Sequence, residues 1–422
     1  MTTYNIGVIA GDGIGPEVIH EGLKVLREVK NGFDVNLVEY PYSGAYYLKT
    51  KELVPDKVID EWRALDAVYL GAIGHPKVEP GLVERSVIMG LRMGLDLYVN
   101  LRPVKLFAEH LCPLKDKTPK DVDFVVIREN TEDAYVGLGG NFRKGSHDEV
   151  AIAEMVFTRK GTERVIRYAF ELARERGKQR AQSPIPTPQS HKPKLTMVDK
   201  ANAIRPQDLW TRVFAEVGKE YPDVEQNHLY VDACCMAMVR NPEAFDVIVT
   251  ANLFGDIITD LGAMLQGGMG FAASGNLHPG KTSMFEPIHG SAPDIAGQGI
   301  ANPLGAVLSL SMMLDYLGEK KTAARIENAV ASLMISDRLL NGKSGMTTTQ
   351  IGDAVSRQIA LGDSSPMISP RDKTNAARIA QLQSAIAAQE SLRPTLGDQA
   401  IEAVIAALHE KIFALHSTKG SL

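Results

Sequence analysis

Strand-like and helix-like stretches alternate from the first residues of this chain, and that alternation constrains its fold more than any other feature. Residues 4–10, YNIGVIA, are a short apolar run that reads as a buried strand. A glycine-rich turn follows. Residues 16–29, PEVIHEGLKVLREV, then space their apolar members at helical intervals, with Pro16 near the first turn. Residues 34–40, 67–74, 123–130, 194–200, 229–233 and 246–253 repeat the strand-like pattern, each before a turn or helix. The expectation is an α/β fold with parallel strands. The 422 residues, 44% of them hydrophobic, suffice for two or three domains with a substantial core.

Other segments depart from this rhythm. Residues 137–147, GLGGNFRKGSH, followed by the strand-like 149–159, predict a β-hairpin or arm. Residues 180–194 carry four prolines and read as an extended surface loop. After about residue 361 the composition shifts, and 375–390 and 399–415 read as two amphipathic helices. A net charge of −5 argues against nucleic acid or an anionic membrane as the main partner. Three cysteines, with no C-x-x-C pair, argue against a disulfide framework or thiolate zinc and suit a reducing cytoplasm. The first residues lack the basic stretch of a signal peptide, and no run of about 18 apolar residues would span a membrane.

The chemistry concentrates at the ends of apolar elements. In residues 253–262, LFGDIITDLG, Asp256 and Asp260 stand four apart and share one helix face. Like charges there cost a few tenths of a kcal/mol, which a divalent cation would offset. The bland alternative is two carboxylates favoured by the positive end of the helix dipole. Asp232 reads as sitting at a strand end, where α/β proteins build their sites. Carboxylates with water are the ligand set of Mg²⁺ or Mn²⁺. Lys200, Arg128, Tyr135, Arg102 and Arg92 also lie near element ends, and such a set suits an anionic substrate chelated to a metal. The stretch GDGIGPEV (11–18) is not a G-x-G-x-x-G dinucleotide fingerprint, because Pro16 occupies the last glycine position.

Six segments together carry a resemblance: GDGIGPEV (11–18), LRMGLDLYVNLRP (91–103), IRENTEDAYVG (127–137), DKAN (199–202), NLFGDIITDLG (252–262) and MFEPIHGSAPDIAGQGIANP (284–303). In this order they resemble the β-decarboxylating dehydrogenases, the family of isopropylmalate, isocitrate, homoisocitrate and tartrate/D-malate dehydrogenases. The likeness covers roughly residues 4–361. It implies a two-domain α/β fold that is not the usual dinucleotide-binding one. A discontinuous cofactor-binding domain would comprise 1–103 plus 262–361. A substrate and dimerisation domain would comprise 104–261, with an arm near 137–158, and 362–422 would be a helical extension. It also implies a homodimer, or a higher oligomer built on one, whose active sites are shared between subunits. The implied cofactors are NAD and Mg²⁺ or Mn²⁺.

By the same likeness, Asp256 and Asp260 bind the metal in their own subunit, while Asp232 and Lys200 reach the partner's site. Lys200, assisted by Asp232, would relay the hydroxyl proton of a 2-hydroxy diacid, and Tyr135 would protonate carbon after decarboxylation. Arg92, Arg102 and Arg128 would hold carboxylates. Asn202 would contact the nicotinamide end. Glu286, His289, Gly290, Ser291, Ala292, Asp294 and Asn302 would form the cofactor loop. A carboxylate at Asp294 repels a 2′-phosphate and so implies NAD rather than NADP.

The implied substrate follows from residues 81–89, GLVERSVIM, where isocitrate-type members place Ser and Asn. Val87, Ile88 and Met89 suit an apolar substituent instead, unless they face the core. An isopropyl group buried at ~0.8 kcal/mol per carbon gives about 2.4 kcal/mol, or about fifty-fold discrimination. The resemblance thus implies 3-isopropylmalate, a substrate of leucine biosynthesis, ahead of tartrate or D-malate. Arg85 departs from the glutamate that many members carry there. Two readings of other classes are a non-catalytic regulatory subunit and a metal-dependent hydrolase or phosphoryl-transfer enzyme. The first conflicts with the presence of every aspartate and of the Lys/Tyr pair, and the second with the likeness around Asp294.

Overall fold

The computed structural model describes residues 2–182, 192–335 and 345–361. Most of the proline-rich stretch and the two C-terminal amphipathic segments lie outside the described residues. Ten strands form one sheet: β1 (Thr2–Gly11), β2 (Phe33–Glu39), β3 (Ala67–Ala72), β4 (Val99–Lys105), β5 (Asp123–Glu129), β8 (Lys194–Asp199), β9 (Glu225–Tyr230), β10 (Val247–Thr250), β11 (Ala273–Leu277) and β12 (Ser283–Pro287). The short β6 (Gly139–Phe142) and β7 (Val150–Ala153) pair antiparallel by themselves as the expected hairpin. All eight residues of that ribbon are exposed, Phe142 and Ile152 included.

The sheet order is β2-β1-β3-β12-β11-β4-β5-β10-β8-β9. Two wings are parallel, β2-β1-β3-β12 and β5-β10-β8-β9. The middle is not: β11 pairs antiparallel with both β12 and β4, and β4 antiparallel with β5. Expecting parallel strands was therefore right for the wings and wrong for the centre. There β11 and β12 form a hairpin, a connection available only to antiparallel strands. Strand direction is also what separates this sheet from the usual dinucleotide-binding arrangement. The rims are β2 and β9, which expose the polar side chains Asp34, Asn36, Glu39, Glu225, Gln226 and His228.

Burial on both faces explains the apolar runs. In β3 all six residues are buried, as in a sheet covered on each side. The helix Leu304–Tyr316 is apolar nearly all round and packs beneath β12, β11 and β3. There Tyr69 donates to the Ala306 carbonyl at 2.7 Å. On the second wing, the helix Arg159–Gln182 lies across β5, β10 and β8. Its Arg176 and Arg180 close on Asp246, which is 3% exposed. No helix among the described residues is long and apolar enough to cross a membrane.

Candidate active site

The helix Asn252–Leu265 carries the paired carboxylates, as their spacing predicts. Asp256 is its fifth residue, and the first turn holds no acidic side chain, so the helix-dipole reading fails. Asp256 instead faces basic groups. Its Oδ1 accepts from Arg128 Nη1, and from Arg102 Nη1 at 3.3 Å, while its Oδ2 accepts from the Tyr135 hydroxyl at 2.7 Å. Gly255 makes this possible, because a Cβ there would lie 2.5 Å from the Arg128 side chain. Arg128 is further held by Asn252 at 2.8 Å, and its guanidinium stacks over the Tyr135 ring at 5.1 Å. Asp133 accepts from the Leu253 N–H at 2.9 Å and ties the tyrosine segment to the start of this helix.

Charge sets the protonation states. Burial raises the Asp256 carboxyl, but the cations of Arg128 and Arg102 outweigh it and leave the group below its ordinary value. Asp260 moves the other way, through burial and the nearby Asp256 charge. The second of these causes is the like-charge repulsion expected from the i, i+4 spacing. Burial, then the hydrogen bond to Asp256, raises the Tyr135 hydroxyl, so it stays protonated at neutral pH. Burial and the crowding of Arg102 and Arg92 bring Arg128 down to about 9.

Arg92 joins this group from the helix that follows β3. It is buried, with Nη2 on Glu286 at 3.2 Å and Nε on Asn276 at 3.1 Å. The same helix contains a π-helical segment, Arg85–Met89, a form found mostly as single-turn bulges near functional sites. Val87 is 1% exposed and points into the core, so it cannot line a pocket, contrary to the triplet reading. Ile88 and Met89 are half-buried, and Arg85 is exposed.

Lys200 and Asp232 stand apart from the aspartate pair. Lys200 Nζ donates to Asp232 Oδ1 at 2.8 Å, and this bond lowers the Asp232 carboxyl. Asp232 is not at a strand end, because β9 stops at Tyr230 and Asp232 lies in the first turn of the helix Val231–Arg240. Among the described residues no three carboxylate, imidazole or thiol groups converge as a metal cluster. The chain thus supplies the pair Asp256 and Asp260, two hard oxygen donors on one face, and holds Asp232 elsewhere. Asn202 lies exposed in the turn after β8.

The cofactor-loop candidates run out of β12. The GDGIGPEV turn braces them: the Ile14 N–H donates to the Ser291 carbonyl at 2.9 Å, and a Cβ at Gly13 would strike that carbonyl. Asp12 locks the turn by accepting from the backbone N–H groups of Gly44, Ala45 and Gly74. His289 has a buried Nε2 with no hydrogen-bond partner, an orphan that an incoming ligand could satisfy. Ser291 and Ala292 are half-buried, and Gly290 and Asp294 are exposed. Asn302 accepts from the Leu304 N–H at 3.0 Å and caps the following helix. Glu286 differs from its expected placement, since its buried carboxylate is taken up by Arg92 and Asn276. A separate cavity of about 640 Å³, lined by residues such as Arg63, His278 and Lys281, contains none of these groups.

The profile of the isocitrate/isopropylmalate dehydrogenase family matches residues 5–355. The chain belongs to the isocitrate/isopropylmalate dehydrogenase family. Among relatives in that family, the 3-isopropylmalate dehydrogenase of Thermobifida fusca is 48% identical over 363 residues, covering 85% of this chain and 98% of the relative. That of Corynebacterium glutamicum is 47% identical over 354 residues, covering 83% and 98%. Among solved structures, isocitrate dehydrogenase from Methylococcus capsulatus superposes with a TM-score of 0.73 at 36% identity, covering 84% of this chain and 99% of that one. A β-decarboxylating dehydrogenase from Thermococcus kodakarensis gives 0.67 at 34%, covering 85% and 96%.

Sequence reasoning missed the groups that hold these arginines, Asn100, Asn276, Asn252 and Thr259, and the two that support them, Asn130 and Ser274. One signal was available. Asn100 and Arg102 stand at i, i+2 on a strand and therefore share a face. Nothing in the sequence links them to Asn276.

Proposed function

We propose that this chain is an NAD-dependent, divalent-metal-dependent decarboxylating dehydrogenase that converts (2R,3S)-3-isopropylmalate to 4-methyl-2-oxopentanoate. The reading is carried by three buried arginines: Arg102 and Arg128 bind Asp256, which also holds the Tyr135 hydroxyl, and Arg92, bound to Glu286, lies within electrostatic reach of the same aspartate. Three guanidiniums balance the carboxylates of Glu286, Asp256 and Asp260. A divalent cation would leave two positive charges, which a dianionic diacid neutralises. Half-buried Ile88 and Met89, one turn before Arg92, suit an apolar substituent and not a third carboxylate. The two isopropylmalate dehydrogenases above support the same substrate.

Family membership implies NAD and a divalent cation. NAD would supply a hydride acceptor, and the cation a Lewis acid for the hydroxy acid. Asp256 and Asp260 would hold that cation, with Asp232 of a partner subunit completing the set. The arginines hold the two carboxylates in place. Lys200, oriented by Asp232, takes the hydroxyl proton, and Tyr135 delivers a proton to carbon once carbon dioxide has left. His289 and Asp294 would face the adenosine end of NAD, and Asn202 the nicotinamide end. The lobes would be 1–103 plus 262–361 and 104–261, with the exposed ribbon β6–β7 covered by a second subunit. A lone two-stranded ribbon is marginal in water, which favours such a cover.

Rates on 3-isopropylmalate, D-malate, tartrate and isocitrate, followed by reduced-nicotinamide absorbance with Mn²⁺ and NAD, test the reading. The highest kcat/KM belongs to 3-isopropylmalate, and preference for another acid would replace the substrate named here. Asp260→Asn should weaken Mn²⁺ binding in a calorimetric titration without unfolding the chain. Unchanged affinity would remove Asp260 from the metal site.

A further inference from the structure

The antiparallel centre of the sheet is lined with amides. Asn100, Asn130 and Asn276 are all 0% exposed, in strands or at their ends, where asparagine is normally depleted. Buried amides must be bonded, and these bond to one another and to the site arginines. The register sets Asn276 of β11 opposite Asn100 of β4, and Asn100 opposite Arg128 of β5. Asn276 Oδ1 accepts from Arg92 Nε at 3.1 Å, Asn100 Nδ2 at 3.0 Å and Asn130 Nδ2 at 2.9 Å. Asn276 Nδ2 donates to Glu286 Oε1 at 2.9 Å. Asn100 Oδ1 accepts in turn from Arg102 Nε at 3.1 Å and Ser274 Oγ at 2.9 Å.

The direction of every bond is forced. Ionised Glu286 can only accept, so the Asn276 nitrogen faces it and the oxygen faces Arg92. Arginine can only donate, so the Asn100 oxygen faces Arg102 and its nitrogen faces Asn276. Flipping either amide would oppose acceptor to acceptor or donor to donor. Arg92 and Arg102 each spend Nε on this chain, which fixes the plane of the guanidinium. Arg92 Nη2 is held by Glu286 and Arg102 Nη1 by Thr259 and Asp256, which leaves Arg92 Nη1 and Arg102 Nη2 for a ligand. Aspartate at 276 would oppose Glu286, and leucine would take the shared acceptor from three buried donors, Arg92 Nε, Asn100 Nδ2 and Asn130 Nδ2, so only an amide serves both sides.

We propose that Asn276 is a positioning residue for the reaction: through Asn100 it ties the guanidinium of Arg92 to that of Arg102 and fixes the spacing between two groups that grip the diacid. The inference rests on the reading of those arginines as carboxylate ligands. It predicts that Asn276 acts on diacid recognition and not on NAD.

The test uses the full chain with Mn²⁺, and Asn276→Ala and Asn276→Ser beside wild type. Both variants should raise the diacid KM about tenfold or more, the loss expected for a hydrogen bond to a charged group, while the NAD KM stays within about twofold. Calorimetric binding of 3-isopropylmalate should weaken by the same factor. In an Arg92→Lys background, which lacks Nε, Asn276→Ala should add less than about twofold. Equal changes in both KM values, or full multiplication of the two substitutions, would overturn the proposal. Should the alanine variant fail to fold, the serine variant carries the same comparisons. Wild-type turnover of none of the four acids sinks the functional reading alone, because the binding ratio between wild type and variant still decides the role of Asn276.

Discussion

A single hydrogen atom at residue 255 decides whether Arg128 can pass beneath the carboxylate helix. Gly255→Ala places a methyl carbon within 2.5 Å of the Arg128 side chain, which is fully buried and cannot swing away. The expected outcome is a stability loss of about 1–3 kcal/mol in urea unfolding, with a raised KM for the diacid. Wild-type values for both would show that Arg128 has room to spare. Asp294 offers a second test at this scale. It is exposed beside the cofactor-loop candidates, and Asp294→Lys should shift the kcat/KM ratio toward NADP. An unchanged ratio would take Asp294 out of cofactor choice. Of the residues gathered around Asp256, the charged ones were legible in the sequence, because they stand at the ends of apolar elements and inside the segments that carry the family resemblance. The amides were not legible, since asparagine is common in turns and only the register of β4 and β11 makes these three neighbours.

Elements show the same division. Most parallel strands were readable from apolar runs followed by helical spacing, and the paired ribbon from its glycines, but β9 was placed four residues late and β12 was not seen. The antiparallel middle was not readable, because hydrophobicity does not encode strand direction. The helix Val231–Arg240 was taken for a strand end, since a short apolar run suits either form until its partners are known. One element contact supports a pH prediction. Asp246 starts β10's approach and binds Arg176 and Arg180 of the helix Arg159–Gln182. Burial raises its carboxyl, but the two arginines prevail and hold it below the ordinary value. A depressed folded-state value means its stabilisation is present above about pH 4, where the unfolded group is ionised, and is lost as pH falls through the folded value. Asp246→Ala should therefore cost about 3–5 kcal/mol at pH 7, with less further loss on acidification than wild type shows. Parallel acid limbs in chemical denaturation would count against this linkage.

For the whole molecule, the question is where the Lys200–Asp232 pair works. In one protomer these side chains bond each other, apart from Asp256 and Asp260. If they serve a neighbour, two dead variants should rescue one another. Lys200→Ala and Asp256→Asn homodimers would each be inactive, and random mixing would restore about a quarter of wild-type turnover through dimers with one intact site. Mixed subunits that stay inactive would place both halves of the chemistry within one chain. A last consequence concerns the rims of the sheet. Among the described residues no strand pairs outside β2 or β9, an arrangement that ordinarily invites stacking into fibrils. Yet Asp34, Asn36 and Glu39 flank the exposed Leu37 of β2, and β9 exposes Glu225, Gln226 and His228. Those side chains make both margins of the described sheet poor templates for a further strand, which works against end-to-end growth in a crowded solution of the protein.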